Sequence, residues 1–205
     1  MIAIVDYGMG NLRSVAKALE YLGGQAIISN KKEDIKSAER IVLPGVGAFG
    51  NAMENIRRLD IIETMENEVL DNKKPFLGIC LGMQLLGSVG YELGVNKGLG
   101  WIPGKVMKIK AEEMGLKVPH VGWNGIKITK ESPLLNGITD GTAFYFVHSY
   151  ALKPDDSGTI VATCQHGEEF AAAIQKGNIF ATQFHPEKSQ KDGLKVLKNF
   201  MEWNK

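Results

Sequence analysis

The 205 residues contain two cysteines, Cys80 and Cys164, and these form no C-x-x-C pair. No disulfide or metal is needed for stability, because a chain of this size can bury about 70% of its unfolded surface. The four histidines, His120, His148, His166 and His185, show no H-E-x-x-H or other recognised zinc spacing, so no metal site is expected. Charge of one sign is also missing: the formal net charge is +1, which points to neither a nucleic-acid partner nor an anionic membrane surface. No apolar run approaches the ~20 residues of a membrane span. There is no internal repeat, low-complexity tract or linker. A signal peptide is missing too, since Met1-Ile2-Ala3-Ile4-Val5-Asp6 starts directly as a strand; a cytoplasmic location with reduced thiols is the expectation.

Hydrophobic residues make up 44% of the chain and charged residues 23%, ordinary for a soluble globular protein, and the length fits one domain over residues 1–205. The first half alternates strand and helix signals. Ile2 to Asp6 reads as a strand, followed by Leu12, Val15, Ala16, Leu19 and Leu22 at helical spacing, with Gly23-Gly24 as the stop. Gln25 to Ser29 and Arg40 to Leu43 read as strands, and Lys31-Lys32-Glu33-Asp34 as a solvated loop or helix start. Ala48 to Leu70 carries one long helical pattern through Met53, Ile56, Leu59, Ile62, Met65 and Val69, and Phe76 to Ile79 is the next strand. This alternation predicts an α/β fold with a mostly parallel central sheet flanked by helices. From Gly104 the texture changes to closely spaced strands: Gly104 to Ile109, Lys117 to Thr129, Ala143 to Leu152, Gly158 to Gln165, Phe170 to Gln175 and Ile179 to Phe184. These predict an added antiparallel region, with Cys164 in its core. Leu194, Leu197, Phe200 and Met201 make a final amphipathic helix.

Two runs carry chemistry. In Gly78-Ile79-Cys80-Leu81-Gly82 an apolar strand meets a helix start, with small residues on both sides of a cysteine. This is the cysteine form of the nucleophile elbow, a turn sharp enough to stand the side chain proud of the sheet edge. A helix N-terminus beside the sulfur would favour the thiolate. The second run is Phe184-His185-Pro186-Glu187. Residues i and i+2 of an extended segment share a face, so His185 and Glu187 can line one side of a site. Pro186 cannot donate to a ladder, which suggests that the run leaves the sheet there. Each run alone is ambiguous, because glycines flank buried cysteines for packing and a strand-end histidine can simply be a satisfied polar residue. Together they supply a nucleophile, its base and an orienter of the base.

Both runs resemble the class I (triad) glutamine amidotransferases, whose fold is flavodoxin-like. Four further stretches look like one branch of that family, the glutaminase subunits of imidazole glycerol phosphate synthase in histidine biosynthesis. They are Asp6-Tyr7-Gly8-Met9-Gly10-Asn11-Leu12, Pro44-Gly45-Val46-Gly47-Ala48-Phe49-Gly50, Pro119-His120-Val121-Gly122-Trp123-Asn124 and Phe146-Val147-His148-Ser149-Tyr150. The resemblance implies that Cys80 attacks the side-chain amide of L-glutamine, with His185 relaying protons and Glu187 holding the imidazole. It implies an oxyanion hole from the backbone N–H groups of Val46 and Leu81, and substrate contacts from Gly45, Gly47, Gln84, Ser149 and Tyr150. It also implies no cofactor, and a (β/α)₈-barrel cyclase subunit as the heterodimer partner that receives the ammonia. Asn11, His120, Trp123, Asn124, Tyr145 and Lys188 match the interface with that subunit. Without the resemblance, Trp123 reads equally as a core aromatic and Lys188 as a solvated charge.

Three other readings compete. A cysteine peptidase on a similar scaffold would keep the elbow but would not need His185-Pro186-Glu187. A catalytically dead scaffold would not need the triad. A glutaminase serving another acceptor, such as that of pyridoxal phosphate synthase, would share the triad and differ only at the more specific runs. The glycines flanking Val46 let that peptide rotate, and the resemblance implies that a partner loaded with its nucleotide substrate uses this freedom to switch the glutaminase on.

Overall fold

Runs such as Ile2-Ala3-Ile4-Val5 offer no polar face to water, so as strands they must be covered on both sides. The computed structural model describes residues 1–204 and places these runs within a nine-stranded sheet. Its parallel half has the order β2 (Ala26–Ser29), β1 (Ile2–Val5), β3 (Arg40–Gly45), β4 (Phe76–Cys80), β13 (Ile179–Thr182). The antiparallel half continues through β12 (Glu168–Lys176), β11 (Ile160–His166), β8 (His120–Ile128) and β9 (Ala143–His148). Cys164 lies buried in β11, as expected of a core residue.

Two apolar cores cover the two faces, and successive strand residues alternate between them. Ile4, Val42, Leu77 and Phe180 join one core with Leu19 of α1 (Leu12–Tyr21) and Leu197 of α6 (Gln190–Glu202). Val5, Ile41, Leu43 and Phe76 join the other with Met53 of α3 (Phe49–Arg58) and Met65 of α4 (Ile62–Glu66). Each such side chain contributes about 1.5–3 kcal/mol on full burial. Gly23, at φ +85°, stops α1 as predicted: its N–H bonds the Glu20 carbonyl while that of Gly24 bonds Leu19, closing a Schellman motif. The charge run at Lys31 opens a short helix, α2 (Lys32–Ser37).

Three expectations need correction. The helical pattern from Ala48 to Leu70 is not one helix. Asp60 turns left-handed at φ +54°, dividing it into α3 and α4, and α4 runs on into a π-helical turn over Asn67–Asp71. Aspartate tolerates that conformation better than most residues, and the apolar spacing continues through the break, which hid it. The segment from Ala143 to Leu152 is not one strand either. It leaves the large sheet at His148, and after Ser149 it enters a second sheet as β10 (Tyr150–Pro154). That sheet has the order β10, β7 (Gly104–Lys108), β5 (Val89–Gly90), β6 (Asn96–Lys97). The two-residue strands β5 and β6 are too short to show a period in sequence and were not expected.

Candidate active site

The parallel strands β3, β4 and β13 all end at one edge of the sheet, the place where open α/β sheets gather their functional groups. Cys80 ends β4 at φ +54° and ψ −107°, a conformation that strains any residue with a Cβ. The flanking glycines are required by contact. A Cβ on Gly82 would stand 1.7 Å from the Leu43 carbonyl oxygen, and one on Gly78 would stand 2.8 Å from that of Gly82. The elbow therefore packs directly on β3. The helix that follows, α5 (Leu81–Gln84), is only one turn long, so its dipole is slight.

His185 and Glu187 meet as expected, though not by the extended geometry expected for them. The chain leaves β13 at Thr182, and Pro186–Lys188 form a 3₁₀ turn that carries Glu187 back beneath the ring. His185 Nδ1 lies 2.8 Å from Glu187 Oε1, with both side chains buried. Burial alone would lower the pKa of His185. The Cys80 sulfur and then the Glu187 carboxylate outweigh burial and raise it to about 9, so the imidazole is charged at neutral pH. Its Nε2 is buried with no hydrogen-bond partner, while the Cys80 thiol lies 3.8 Å from the Val147 carbonyl oxygen.

A cavity of about 390 Å³ opens over Cys80. Val46, Gly47, Leu81 and Gln84 line one side, and Pro119, His148, Ser149 and Tyr150 line the other. Gly47 takes φ +106°. Gly45 passes so close to Tyr7 that a Cβ there would stand 1.9 Å from the phenolic oxygen. Gln84 Nε2 donates to the Tyr150 carbonyl at 2.8 Å and to Gln183 Oε1 at 3.2 Å.

Sequence reasoning missed three side chains here. Gln183 lies 3.7 Å from Cys80 Sγ through Nε2; its place two residues before His185 was the available signal. Tyr7 is buried with its hydroxyl unpartnered, and burial together with the charge of Cys80 raises its pKa far above the ordinary phenol value. Glu92 reaches the cavity from the turn between β5 and β6, where its Oε2 accepts the Phe49 N–H at 2.8 Å. Nothing in the sequence marks that glutamate.

The residues matched to a partner surface divide into two groups. Trp123 is half exposed and packs edge-on against Tyr145 at 6.1 Å between ring centres, and Lys188 stands over the Tyr145 ring at 5.8 Å. Asn11 is exposed at the start of α1. His120 is a correction: it is 4% exposed, stacked between Phe146 and His166, so its side chain is not available to a partner. Burial first, and the His166 imidazole second, hold His120 down to about 4; burial also dominates in lowering His148 to about 3. Both rings are neutral at pH 7. Cys164 is pushed up to about 12 by burial, which leaves it inert. Among the described residues no group of three or more His, Cys, Asp or Glu side chains could hold a metal ion, and no helix is long and apolar enough to cross a membrane.

Residues 3–203 match the family described as glutamine amidotransferase class-I. The chain is 52% identical over 200 residues to imidazole glycerol phosphate synthase subunit HisH 1 of Campylobacter jejuni, covering 98% of each protein. It is 51% identical over 202 residues to the subunit HisH of Methanocaldococcus jannaschii, covering 98% of this chain and 99% of that one. Among solved structures, PurLQS from Thermotoga maritima superposes with a TM-score of 0.74 at 21% identity, over 98% of this chain and 96% of that one, a likeness of fold alone.

Proposed function

The chain belongs to the class-I glutamine amidotransferases, and from that premise we infer that Cys80, His185 and Glu187 are the triad of a glutaminase. Within the family it is the glutaminase subunit of an imidazole glycerol phosphate synthase, acting in histidine biosynthesis. The observation that carries the triad is the buried 2.8 Å contact between His185 and Glu187, which leaves Nε2 free for the sulfur. An inactive scaffold has no call for this arrangement, and the full-length relatives of that name separate the reading from a peptidase, which would share the triad logic.

In the reaction we propose, the Cys80 thiolate attacks the side-chain amide carbon of glutamine. The negative charge that develops on the amide oxygen is met by the N–H groups of Val46 and Leu81, a contribution worth roughly 10²–10³ in rate per donor. His185 gives its Nε2 proton to the departing nitrogen, so that ammonia leaves and a glutamyl thioester remains. A water then attacks the thioester, losing a proton to His185, and glutamate is released with the thiolate restored. Glu187 holds Nδ1–H throughout.

The cavity is of a size usual for small ligands, about 300–1,000 Å³. Glu92 offers the amino-acid end of glutamine a carboxylate for its ammonium, Gly47, Gln84, Ser149 and Tyr150 form the surrounding walls, and Gly45 lies just behind them. The ammonia passes to a (β/α)₈-barrel cyclase bound over Trp123, Asn124, Tyr145, Lys188 and Asn11; the exposed ring of Trp123 beside Tyr145 supports that surface. We read residues 1–205 as one domain, since the family match runs from 3 to 203. A cytosolic location keeps the two free cysteines reduced.

The test is Cys80→Ala in the two-subunit complex. Glutamine-dependent synthesis should be lost, whereas synthesis from added ammonium salt should persist, because the cyclase does not use the thiol. Loss of both activities in an intact complex would count against separate glutaminase and synthase sites.

A further inference from the structure

Two of the four histidines, His148 and His120, stand in one hydrogen-bonded row that the triad does not use. His148 Nδ1 lies 2.9 Å from the Tyr150 carbonyl oxygen, His148 Nε2 lies 3.1 Å from His120 Nδ1, and His120 Nε2 lies 3.3 Å from Asn124 Nδ2. His166 adds its ring, stacked on His120 at 4.1 Å. The direction of the row is set by its ends. A carbonyl only accepts, so the His148 proton is on Nδ1 and its Nε2 must accept. His120 therefore donates from Nδ1, and its Nε2 in turn accepts from the Asn124 amide. One assignment of protons satisfies all three contacts, and it needs both rings neutral.

We propose that His120 and His148 are positioning residues for the glutamine cavity, acting through the Tyr150 carbonyl. This deepens the glutaminase reading and rests on it. The chain crosses between the two sheets at Ser149. The Ser149 carbonyl is bonded by the Ile109 N–H at 3.0 Å, and the Tyr150 carbonyl receives both His148 Nδ1–H and Gln84 Nε2–H. Both lone pairs of Tyr150 are thus occupied, so this oxygen is a pin and not a ligand. His148, Ser149 and Tyr150 form the cavity wall facing Val46 and Gly47. With the row intact, the wall is held in place before substrate arrives. With it cut at His120, His148 keeps an unpaired buried nitrogen and is free to take the other tautomer, which cannot donate to Tyr150.

Two measurements on the full-length chain decide the matter. The ¹⁵N shifts of the imidazoles should show His120 and His148 neutral, with the proton on Nδ1, between pH 6 and 8. A proton on Nε2 of either ring, or a cationic ring, overturns the row whatever the chain's activity. Glutamine binding is then titrated calorimetrically on a Cys80→Ala background. His120→Phe, which keeps the stacking, should weaken binding about fivefold, the worth of one hydrogen bond. His120→Asn, whose amide nitrogen stands where Nδ1 stood, should recover it to within about twofold. Unchanged binding in His120→Phe, or equal losses in both variants, overturns the positioning role. No glutamine binding by Cys80→Ala itself would instead count against the glutaminase reading, and the imidazole shifts would still decide the row.

Discussion

In the parallel half of the large sheet, strand ends deliver the groups of the proposed reaction: the Gly45–Gly47 loop from β3, Cys80 from β4 and His185 three residues beyond β13. In the antiparallel half, β8 and β9 deliver none of them. Their contribution is a wall, built from His148, Ser149 and the row of neutral imidazoles behind it, with Trp123 and Tyr145 on its outer side. Chemistry thus sits where backbone turns are tight and glycines are dictated by contact. Recognition sits where side chains are layered and exchangeable. Damage to the first half should fall on folding and rate, and damage to the second on binding.

The sharpest way to break this contrast is Gly82→Ala. The added methyl would enter the Leu43 carbonyl, so the variant should lose about 3 kcal/mol or more in urea unfolding, or fail to fold. Near wild-type stability would show that the elbow can move off β3. Next comes Glu187→Gln, which should slow thioester formation about 10²-fold or more, though less than His185→Ala. The pH profile gives its sign. In the proposed reaction His185 is the acid for the departing ammonia, so single-turnover rates should fall as pH rises through about 9, where it loses its proton. Without the Glu187 carboxylate that limb should move to lower pH. An unmoved limb in rapid-quench measurements would leave Glu187 with packing alone.

In the second half, Trp123→Ala should weaken the proposed complex with the cyclase by about 2 kcal/mol, roughly 30-fold in affinity, with little change in the melting temperature of the isolated chain. A large fall in melting temperature would mean that the ring is a core residue after all. The smallest effect is expected from Tyr7→Phe, which removes a buried hydroxyl without a partner. Stability should rise by about 1 kcal/mol in urea unfolding; a fall would reveal a bond that the hydroxyl does make.

Much of the parallel half was legible in the sequence. Its strands are mostly apolar, its helices carry a clear period, and Gly78, Cys80, Gly82, His185 and Glu187 each sit in a short run whose spacing has a local cause. The losses came where local pattern and tertiary contact diverge. The apolar spacing runs unbroken across Asp60, so only backbone conformation shows the turn. Ser149 looks like the middle of a strand, because the residues on both sides alternate correctly for two different sheets. His120 belongs to a run matched to a partner surface, yet the pleat turns it inward while Trp123, three residues on, stays half exposed. Glu92 comes from a loop with no pattern, and no amount of spacing would have found it.

The close seating of Gly82 on the Leu43 carbonyl also fixes how the neighbouring loop can behave. It acts as a fulcrum, with only Pro44 and Gly45 between it and Val46, and the proline ring holds its own φ near −65°. An arm of two residues has no reach, so the loop cannot slide across the cavity mouth as a lid would. What remains to it is rotation of one peptide about its own axis, a motion with little load and almost no displacement. In the proposed gating, the aim of the Val46 N–H would therefore change by rotation alone, with the sulfur staying where β4 put it.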